Sequence, residues 1–190
     1  MSYNTLGDFM KISNTNFNHL WLSMLGVILL AFGIAATLIA NLGFGPFDTF
    51  MNILMELFGF EQFGNVVFWV QMIVLLFLFV NKNNFKLDNM DFISSLLSIT
   101  VISETINFAQ SVLANVTIPT SIIFTFGIFS IATGIYFITK SNKFVAPLDK
   151  FVVSLSVYFK KDFSTVKIIF DAILITISIL LVFTLKISEV

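Results

Sequence analysis

This sequence lacks several of the residue types on which catalytic and binding sites depend. It contains no cysteine, no arginine and a single histidine, His19. Without cysteine there are no disulfides, thiolate nucleophiles or cysteine-ligated metals. Without arginine, the side chain that binds phosphate through two parallel hydrogen bonds is missing. We therefore expect no enzymatic activity, no cofactor, no metal site and no nucleic-acid partner.

Charge is also scarce, and apolar residues take its place. Charged residues make up 11% and hydrophobic residues 57% of the chain, with a mean hydropathy of +0.97. Most of the apolar runs reach the roughly 20 residues that a helix needs to cross a bilayer; they are Leu20–Ala40, Val66–Val80, Phe92–Ala114, Ser121–Thr139 and Val166–Leu185. A chain of 190 residues cannot bury five such helices on all sides. The sequence therefore predicts an all-α, polytopic membrane helix bundle whose surroundings are the lipid bilayer.

Two further apolar segments are too short to cross a membrane. They are Phe47–Phe60 and Val145–Phe159, and each is followed by a turn-like cluster of residues. Short apolar helices of this kind are typical of re-entrant or half helices. We therefore predict five transmembrane helices and two short ones.

The distribution of lysine supports this topology. With a cytoplasmic N-terminus and short helices that enter and leave on one side, nine of the ten lysines lie inside and only Lys186 lies outside. If all seven segments crossed, Lys82, Lys86, Lys140 and Lys143 would move outside, against the positive-inside rule. We expect a multi-pass protein of the cell membrane, with a polar cytoplasmic N-terminus at residues 1–18 and a single membrane domain at residues 19–190.

The chain also repeats itself. Gly26-x6-Gly33-Ile34-x6-Asn41-x4-Pro46-x-Asp48-x-Phe50 recurs 101 residues later, and eight of the 26 positions between 26 and 51 are identical. Copy one is assigned to residues 20–81 and copy two to residues 121–185, with a middle helix at residues 92–114. Three crossings separate the copies in this topology, so they have opposite orientations in the membrane. Inverted repeats of this kind occur in several families of transporters, whose sites form where the repeats meet.

The first copy of the motif predicts a turn and a helix start. Gly43 and Gly45 permit a positive φ in a tight turn, and Pro46 suits the first position of a helix. Asp48 then lies in the first helical turn, where its charge meets the positive end of the helix dipole. This pattern predicts a short helix that begins at Pro46.

The second copy keeps Pro147 and Asp149 but loses both glycines, so its turn must be built differently. Two interpretations of the paired aspartates remain open. Each can cap its own helix, or each can bind an ion or a substrate at a helix end inside the membrane.

Glu104 lies in the middle of an apolar helix. Thr100, Glu104, Asn107 and Ser111 follow spacings that bring them to one helix face. Acids inside membranes often relay protons or bind cations, whereas a polar stripe can instead form hydrogen bonds with neighbouring helices. Glu104 and Asn107 are therefore candidates for a path through the protein.

Asp171 is a further candidate acid in the last helix. It follows Lys167 by four residues, a spacing that predicts a local ion pair on one helix face.

The Leu42-Gly-Phe-Gly-Pro-Phe-Asp48 segment and the following Gly59–Gly64 turn carry a likeness to a known family. On these residues the chain resembles the YczE/YyaS/YitT-type family of bacterial integral membrane proteins. The resemblance implies that Ala146-Pro-Leu-Asp149 is the second such element, that Asp171 is the acid of the helix that follows, and that Glu104 is the acid of the middle helix. That family has no firmly assigned activity, so the resemblance implies location and architecture more than substrate.

Two functions remain open at this point. The first is a small secondary transporter or a channel-like protein, with the intramembrane acids as a proton, cation or solute site. The second is a non-transporting accessory subunit, or the substrate-binding subunit of a multi-component transporter. Either function is compatible with a homo-oligomer or a membrane complex.

Overall fold

The computed structural model describes residues 17–85, 89–141 and 146–185. Within these residues the chain forms seven α-helices and no strand. They are α1 (Phe17–Ala40), α2 (Pro46–Phe58), α3 (Phe63–Val80), α4 (Asn89–Leu113), α5 (Thr120–Ser141), α6 (Pro147–Phe159) and α7 (Phe163–Leu185), with one additional helical turn at Lys82–Phe85. Most of the polar N-terminus and residues 142–145 lie outside the described residues.

Five of the seven helices are long and apolar enough to cross a membrane. These are α1, α3, α4, α5 and α7, with candidate spans of 18 to 22 residues. α2 and α6 contain 13 residues each and are therefore about 20 Å long, which is short of a hydrocarbon core of about 30 Å. The prediction of five long helices and two short ones is confirmed.

The helices extend beyond the apolar runs that predicted them. α3 begins at Phe63 rather than Val66, and α7 begins at Phe163 rather than Val166. Hydropathy marks the part of a helix that suits hydrocarbon, whereas the helical hydrogen bonds continue into the polar residues at its ends. The runs therefore locate the helices well and their first residues less well.

α1 and α5 form the central pair, and they run antiparallel. Gly33 lies against Gly127, and Gly26 lies against Gly134. A Cβ atom on Gly33 would lie 2.7 Å from the Gly127 carbonyl oxygen, and a Cβ atom on Gly134 would lie 2.7 Å from that of Gly26. Because only glycine permits such an approach, the backbones of the two helices touch along this line.

Side-chain hydrogen bonds also join α1 and α5. The Ser23 and Ser141 hydroxyls lie 2.6 Å apart, and the Ser130 hydroxyl donates to the Leu29 carbonyl at 2.7 Å. Hydrogen bonds between helices contribute to association in a bilayer, where apolar burial alone gives little driving force.

The outer helices are arranged around this pair. α4 packs against α1 and α3, while α2 packs against α7 and α6 packs against α3. Under the 101-residue offset α2 is equivalent to α6 and α3 to α7. Each short helix therefore packs on the long helix that ends the other sequence copy.

Phe151 fixes α6 between its neighbours. Its ring lies 5.9 Å from that of Phe77 on α3 and 6.2 Å from that of Phe170 on α7, measured between ring centroids. Edge-to-face contacts of this kind are favourable beyond simple area burial. They hold the first turn of α6, with Asp149, beside α7.

Candidate functional site

The first Pro-x-Asp motif forms the N-terminus of α2. Gly45 is the N-cap residue, Pro46 is the first helical residue and Asp48 is the third. The Gly45 backbone N–H donates a hydrogen bond to the Asp48 carboxylate. This reciprocal contact from the third position is half of a capping box, so Asp48 caps the helix that it helps to begin.

The two glycines of this turn play different parts. Gly43 has a φ of 143°, a backbone conformation that suits glycine. Gly45 has a φ of −67°, so the expectation of a positive φ is wrong there. Gly45 instead leaves room for its acid, since a Cβ atom would lie 3.2 Å from Asp48 Oδ2.

The second motif begins α6 in a similar manner. Ala146 is the N-cap residue with extended-type backbone angles of −57° and 141°, Pro147 is the first helical residue and Asp149 is the third. Ala146 carries a Cβ atom where Gly45 leaves space, so Asp149 cannot approach its N-cap as closely without a shift. The different construction expected for the preceding turn falls on residues 142–145, outside the described residues.

Lys167, on the second turn of α7, connects the two motifs. Its Nζ atom lies 2.8 Å from Asp171 Oδ1, which confirms the ion pair predicted from the sequence. The positive charge of Lys167 also acts on both Asp48 and Asp149 and lowers the pKa of each. Lys167 is therefore paired with Asp171 and is near enough to Asp48 and Asp149 for its charge to act on both; we call these four side chains the acid cluster.

Burial works against ionisation of the acid cluster. Removal from water raises the pKa of Asp48 to about 6, although the Gly45 N–H and Lys167 both act to lower it. Burial also raises the pKa of Asp149, while Lys167 lowers it and the nearby Asp171 raises it. Asp149 is exposed overall, so water also screens its carboxyl group.

Sequence reasoning selected the three acids but not Lys167 as their common partner. The spacing of Lys167 and Asp171 explained both residues locally, which concealed a further role for the lysine. The available signal was the rarity of lysine within membrane helices, where a charge is usually paired or functional.

Asn107 has a structural place between α3 and α4. Its Oδ1 atom accepts a hydrogen bond from the Gly64 N–H at 2.9 Å, and its Nδ2 group donates to Asn65 Oδ1 at 3.0 Å. The Ser103 hydroxyl donates to the Gly64 carbonyl at 2.8 Å. Asn107 thereby satisfies a backbone N–H in the first turn of α3, where the helix supplies no acceptor of its own.

Replacement of Asn107 by leucine should destabilise the protein by about 1–3 kcal/mol, because the Gly64 N–H and the Asn65 amide lose their partner. The apparent melting temperature in detergent, read by tryptophan fluorescence, should fall by several degrees. Ser111→Ala is the matched control, since Ser111 is exposed on the same helix and bonds only locally to Phe108. Equal melting temperatures for the two variants would contradict this assignment.

Glu104 lies apart from the acid cluster. It is on α4, which packs against α1 and α3, whereas the cluster is built from α2, α6 and α7. The Glu104 side chain is exposed, as are those of Thr100 and Ser111 on the same helix face. The structure therefore separates Glu104 from the acid cluster.

The described residues contain no group of three or more His, Asp or Glu side chains arranged to hold a metal ion. The acid cluster consists instead of carboxyl groups and one ammonium group.

Comparison with protein families assigns the chain to a family. A family profile matches residues 17–190, which include every described helix. The chain belongs to DUF6198, a family of unknown function. Comparisons with curated proteins and with solved structures gave no significant match. For this DUF6198 protein, function must therefore be argued from its own geometry.

The raised pKa of Asp48 predicts a pH dependence of stability. A carboxyl whose folded-state pKa is about 6 rather than 3.8 favours folding when protonated, so its contribution is complete below pH 3.8 and is lost as pH rises through 6. The loss should be on the order of 2–3 kcal/mol at most. We expect the apparent melting temperature to fall between about pH 4 and pH 6.5, and to fall less in Asp48→Asn.

Two comparisons isolate this effect from the other titrating groups. Asp149→Asn reports the second raised carboxyl, and Asp162→Asn reports an exposed acid in the turn before α7. If Asp48→Asn keeps the full pH slope of the unmodified protein, Asp48 is not the titrating group.

Proposed function

We propose that this DUF6198 protein is a small secondary transporter or channel-like protein of the cell membrane, and that its acid cluster binds a proton or a small cation. The observation that carries this proposal is that the charge of Lys167 acts on both Asp48 and Asp149. Two short helices, from separate parts of the chain, each deliver one aspartate to that lysine. Helix ends that meet inside a membrane protein form the ion and substrate sites of several transporter folds.

The charge balance of the cluster favours a cationic ligand. Asp48, Asp149 and Asp171 set three carboxyls against the single ammonium of Lys167. Where carboxyl groups are partly shielded from water such an imbalance is costly, and uptake of a proton or a small cation reduces it. Release of the same ion on the other side of the membrane would complete a transport step.

The arrangement of helices supports an inverted repeat. Under the 101-residue offset, the Gly26–Gly134 contact becomes Gly127–Gly33, which is the second contact observed. The pairing of α2 with α7 becomes that of α6 with α3, which is also present. A two-fold axis in the plane of the membrane, between α1 and α5, generates both relations.

The acid cluster supports a re-entrant path for α2 and α6. α1 and α5 are antiparallel, so their C-terminal ends lie at opposite ends of the central pair. Yet Asp48 and Asp149, which follow these ends closely, both lie near Lys167. We propose that each short helix begins inside the bundle, runs back outward and returns to the side from which its chain entered.

The lysine distribution and the likeness to the YczE/YyaS/YitT-type family extend this proposal to orientation. The N-terminus is assigned to the cytoplasm, with α2 on the outer half and α6 on the inner half of the bilayer. Alternating access would then require the two halves to rock about the α1–α5 contact.

Reconstituted vesicles test the proposal directly. The full chain is placed in vesicles of phosphatidylethanolamine and phosphatidylglycerol with a trapped pH dye, and a potassium gradient with valinomycin sets the potential. We expect proton flux above that of empty vesicles, or flux of sodium or potassium when these are the imposed gradients. Asp48→Asn should reduce this flux by on the order of tenfold or more, since it removes one titrating carboxyl.

The matched control is Glu56→Gln, which neutralises an exposed acid at the far end of the same helix. Absence of flux for all three ions would exclude a proton or monovalent cation path. Equal flux in Asp48→Asn and the unmodified protein would exclude the acid cluster as its site.

A non-transporting subunit is the second candidate function, and one observation favours it. Glu104 is exposed on α4 although a carboxyl is costly against lipid, which suggests a protein surface opposite it. Such a subunit would give no flux by itself, and its acids could be neutralised without loss of function in the complex.

A further inference from the structure

α4 occupies a cleft between α1 and α3. It contacts both helices, which meet each other far less extensively within the described residues. The walls of the cleft are deeply covered, since Val27 of α1 is 2% exposed and Val67 of α3 is 3% exposed. Both belong to one apolar cluster with Ile102 and Ile106 of α4.

The equivalent cleft lies between α5 and α7, and no described helix fills it. Ile128 is the equivalent of Val27 and is 49% exposed, and Ile168 is the equivalent of Val67 and is 67% exposed. Ala132 is exposed too, although its equivalent, Ala31, is completely buried.

A shallow groove marks the same place on α7. Its volume is about 310 Å³, and its lining residues are Ile169, Ala172, Ile173, Thr176 and Ile177. Ala172 and Thr176 are the equivalents of Gln71 and Leu75, both of which are buried on α3. The groove therefore occupies the position at which α3 receives α4.

One face of α4 is not covered by any other described helix. Leu97, Thr100, Glu104 and Phe108 are exposed on the side opposite its contacts with α1 and α3. An acid on such a face is costly against lipid. Each chain thus has one empty cleft and one uncovered polar helix face.

We propose that the cleft between α5 and α7 receives the outward face of α4 from a second copy of the chain. In a two-fold dimer the α4 face of each copy lies in the cleft of its partner. The cleft is then filled and Glu104 is covered in both copies. This inference rests on the proposed two-fold relation between the halves and not on transport.

The depths of the polar groups agree with this docking. Glu104 lies nine residues before the end of α4, and Thr176 lies nine residues before the end of α7. α4 and α7 run in the same direction across the membrane in the proposed topology, so these residues meet at one level. Hydroxyl and carboxyl groups that face each other across helices form hydrogen bonds that assist association.

The α4 helix of the second copy runs in a different direction relative to its cleft than α4 does within one chain. Two copies with the same orientation bring α4 to α5 antiparallel, whereas α4 is parallel to α1 within one chain. The outward face of α4 is also chemically different from its inner face. The proposed contact therefore uses the same cleft but not the same side-chain pairs.

Cysteine cross-linking tests the docking, because the chain has no cysteine of its own. The variant Phe108→Cys with Ile179→Cys joins the α4 face to the cleft, since the two positions lie five and six residues from the ends of their helices. The control is Phe108→Cys with Trp69→Cys, which uses an exposed position outside the cleft, six residues into α3 from the end that lies beside Asn107. Both are oxidised in vesicles of phosphatidylethanolamine and phosphatidylglycerol at high dilution of protein in lipid.

We expect a covalent dimer from the first pair and not from the control pair. Ala172→Trp, which fills the groove at an exposed position, should abolish the dimer while leaving the melting temperature unchanged. Equal cross-linking of both pairs, insensitivity to Ala172→Trp, or a single photobleaching step per labelled particle would each overturn the proposal. A different membrane protein that copurifies in stoichiometric amount and shields Ile179→Cys from maleimide would overturn it as well.

Discussion

Replacement of Gly33 by leucine should prevent α1 and α5 from packing together and leave little monodisperse protein. A Cβ atom at this position would lie 2.7 Å from both the Gly127 carbonyl oxygen and the Ile131 backbone nitrogen. Both neighbours are main-chain atoms, so a side-chain rotation cannot relieve the contact. Even Gly33→Ala should cost about 1–3 kcal/mol, and leucine should cost more.

The measurement is the yield and elution profile after detergent extraction, followed by the apparent melting temperature. Thr133→Leu is the control, because it adds bulk to an exposed position of α5 that does not face α1. If Gly33→Leu melts close to the unmodified protein, the backbones of α1 and α5 are not in contact.

The two-fold relation sharpens this prediction. Gly33 and Gly127 approach each other reciprocally, as do Gly26 and Gly134. Gly134 is the equivalent of Gly33, and a Cβ atom there would lie 2.6 Å from the Leu30 backbone nitrogen, so leucine at Gly134 should be as damaging as leucine at Gly33. A large difference between them would show that the two halves contribute unequally to the central contact.

Sequence patterns predicted the helices of this protein well because the hydrophobic length of a helix depends on the bilayer. The five long helices and the two short ones were visible in the apolar runs alone. The 101-residue repeat also identified Gly26 and Gly33, whose packing role the α1–α5 contact explains. These features are encoded locally, in length, spacing and composition.

The composition of the site was less predictable because it depends on contacts between distant segments. Asp48 and Asp149 were selected by the repeat, but their approach to Lys167 required the packing of α2 and α6 beside α7. Glu104 was a candidate by sequence, yet its face of α4 points outward. A helix periodicity shows which residues share a face and does not show which neighbour covers that face.

Replacement of Lys167 by methionine should have the largest effect on the acid cluster, because it removes the positive charge that Asp48, Asp149 and Asp171 share. The pKa of Asp48 and that of Asp149 should then rise further, since one influence that lowers them is gone. The pH at which stability is lost should therefore move upward from about 6, the pKa of Asp48 in the unmodified protein. At pH 7.5 the variant should be less stable and should carry little ion flux.

Partner variants separate charge from shape in this prediction. Lys167→Arg keeps the charge and should preserve the pH profile, whereas Lys161→Met removes an exposed lysine and should change nothing. Lys167→Met combined with Asp171→Asn should be less damaging than the sum of the two single changes, with a coupling of about 0.5–3 kcal/mol. If the effects simply add, Lys167 and Asp171 do not act together and the cluster is smaller than proposed. If they couple but the pH profile stays in place, the lysine serves Asp171 alone, and the convergence of the two short helices has no part in proton binding.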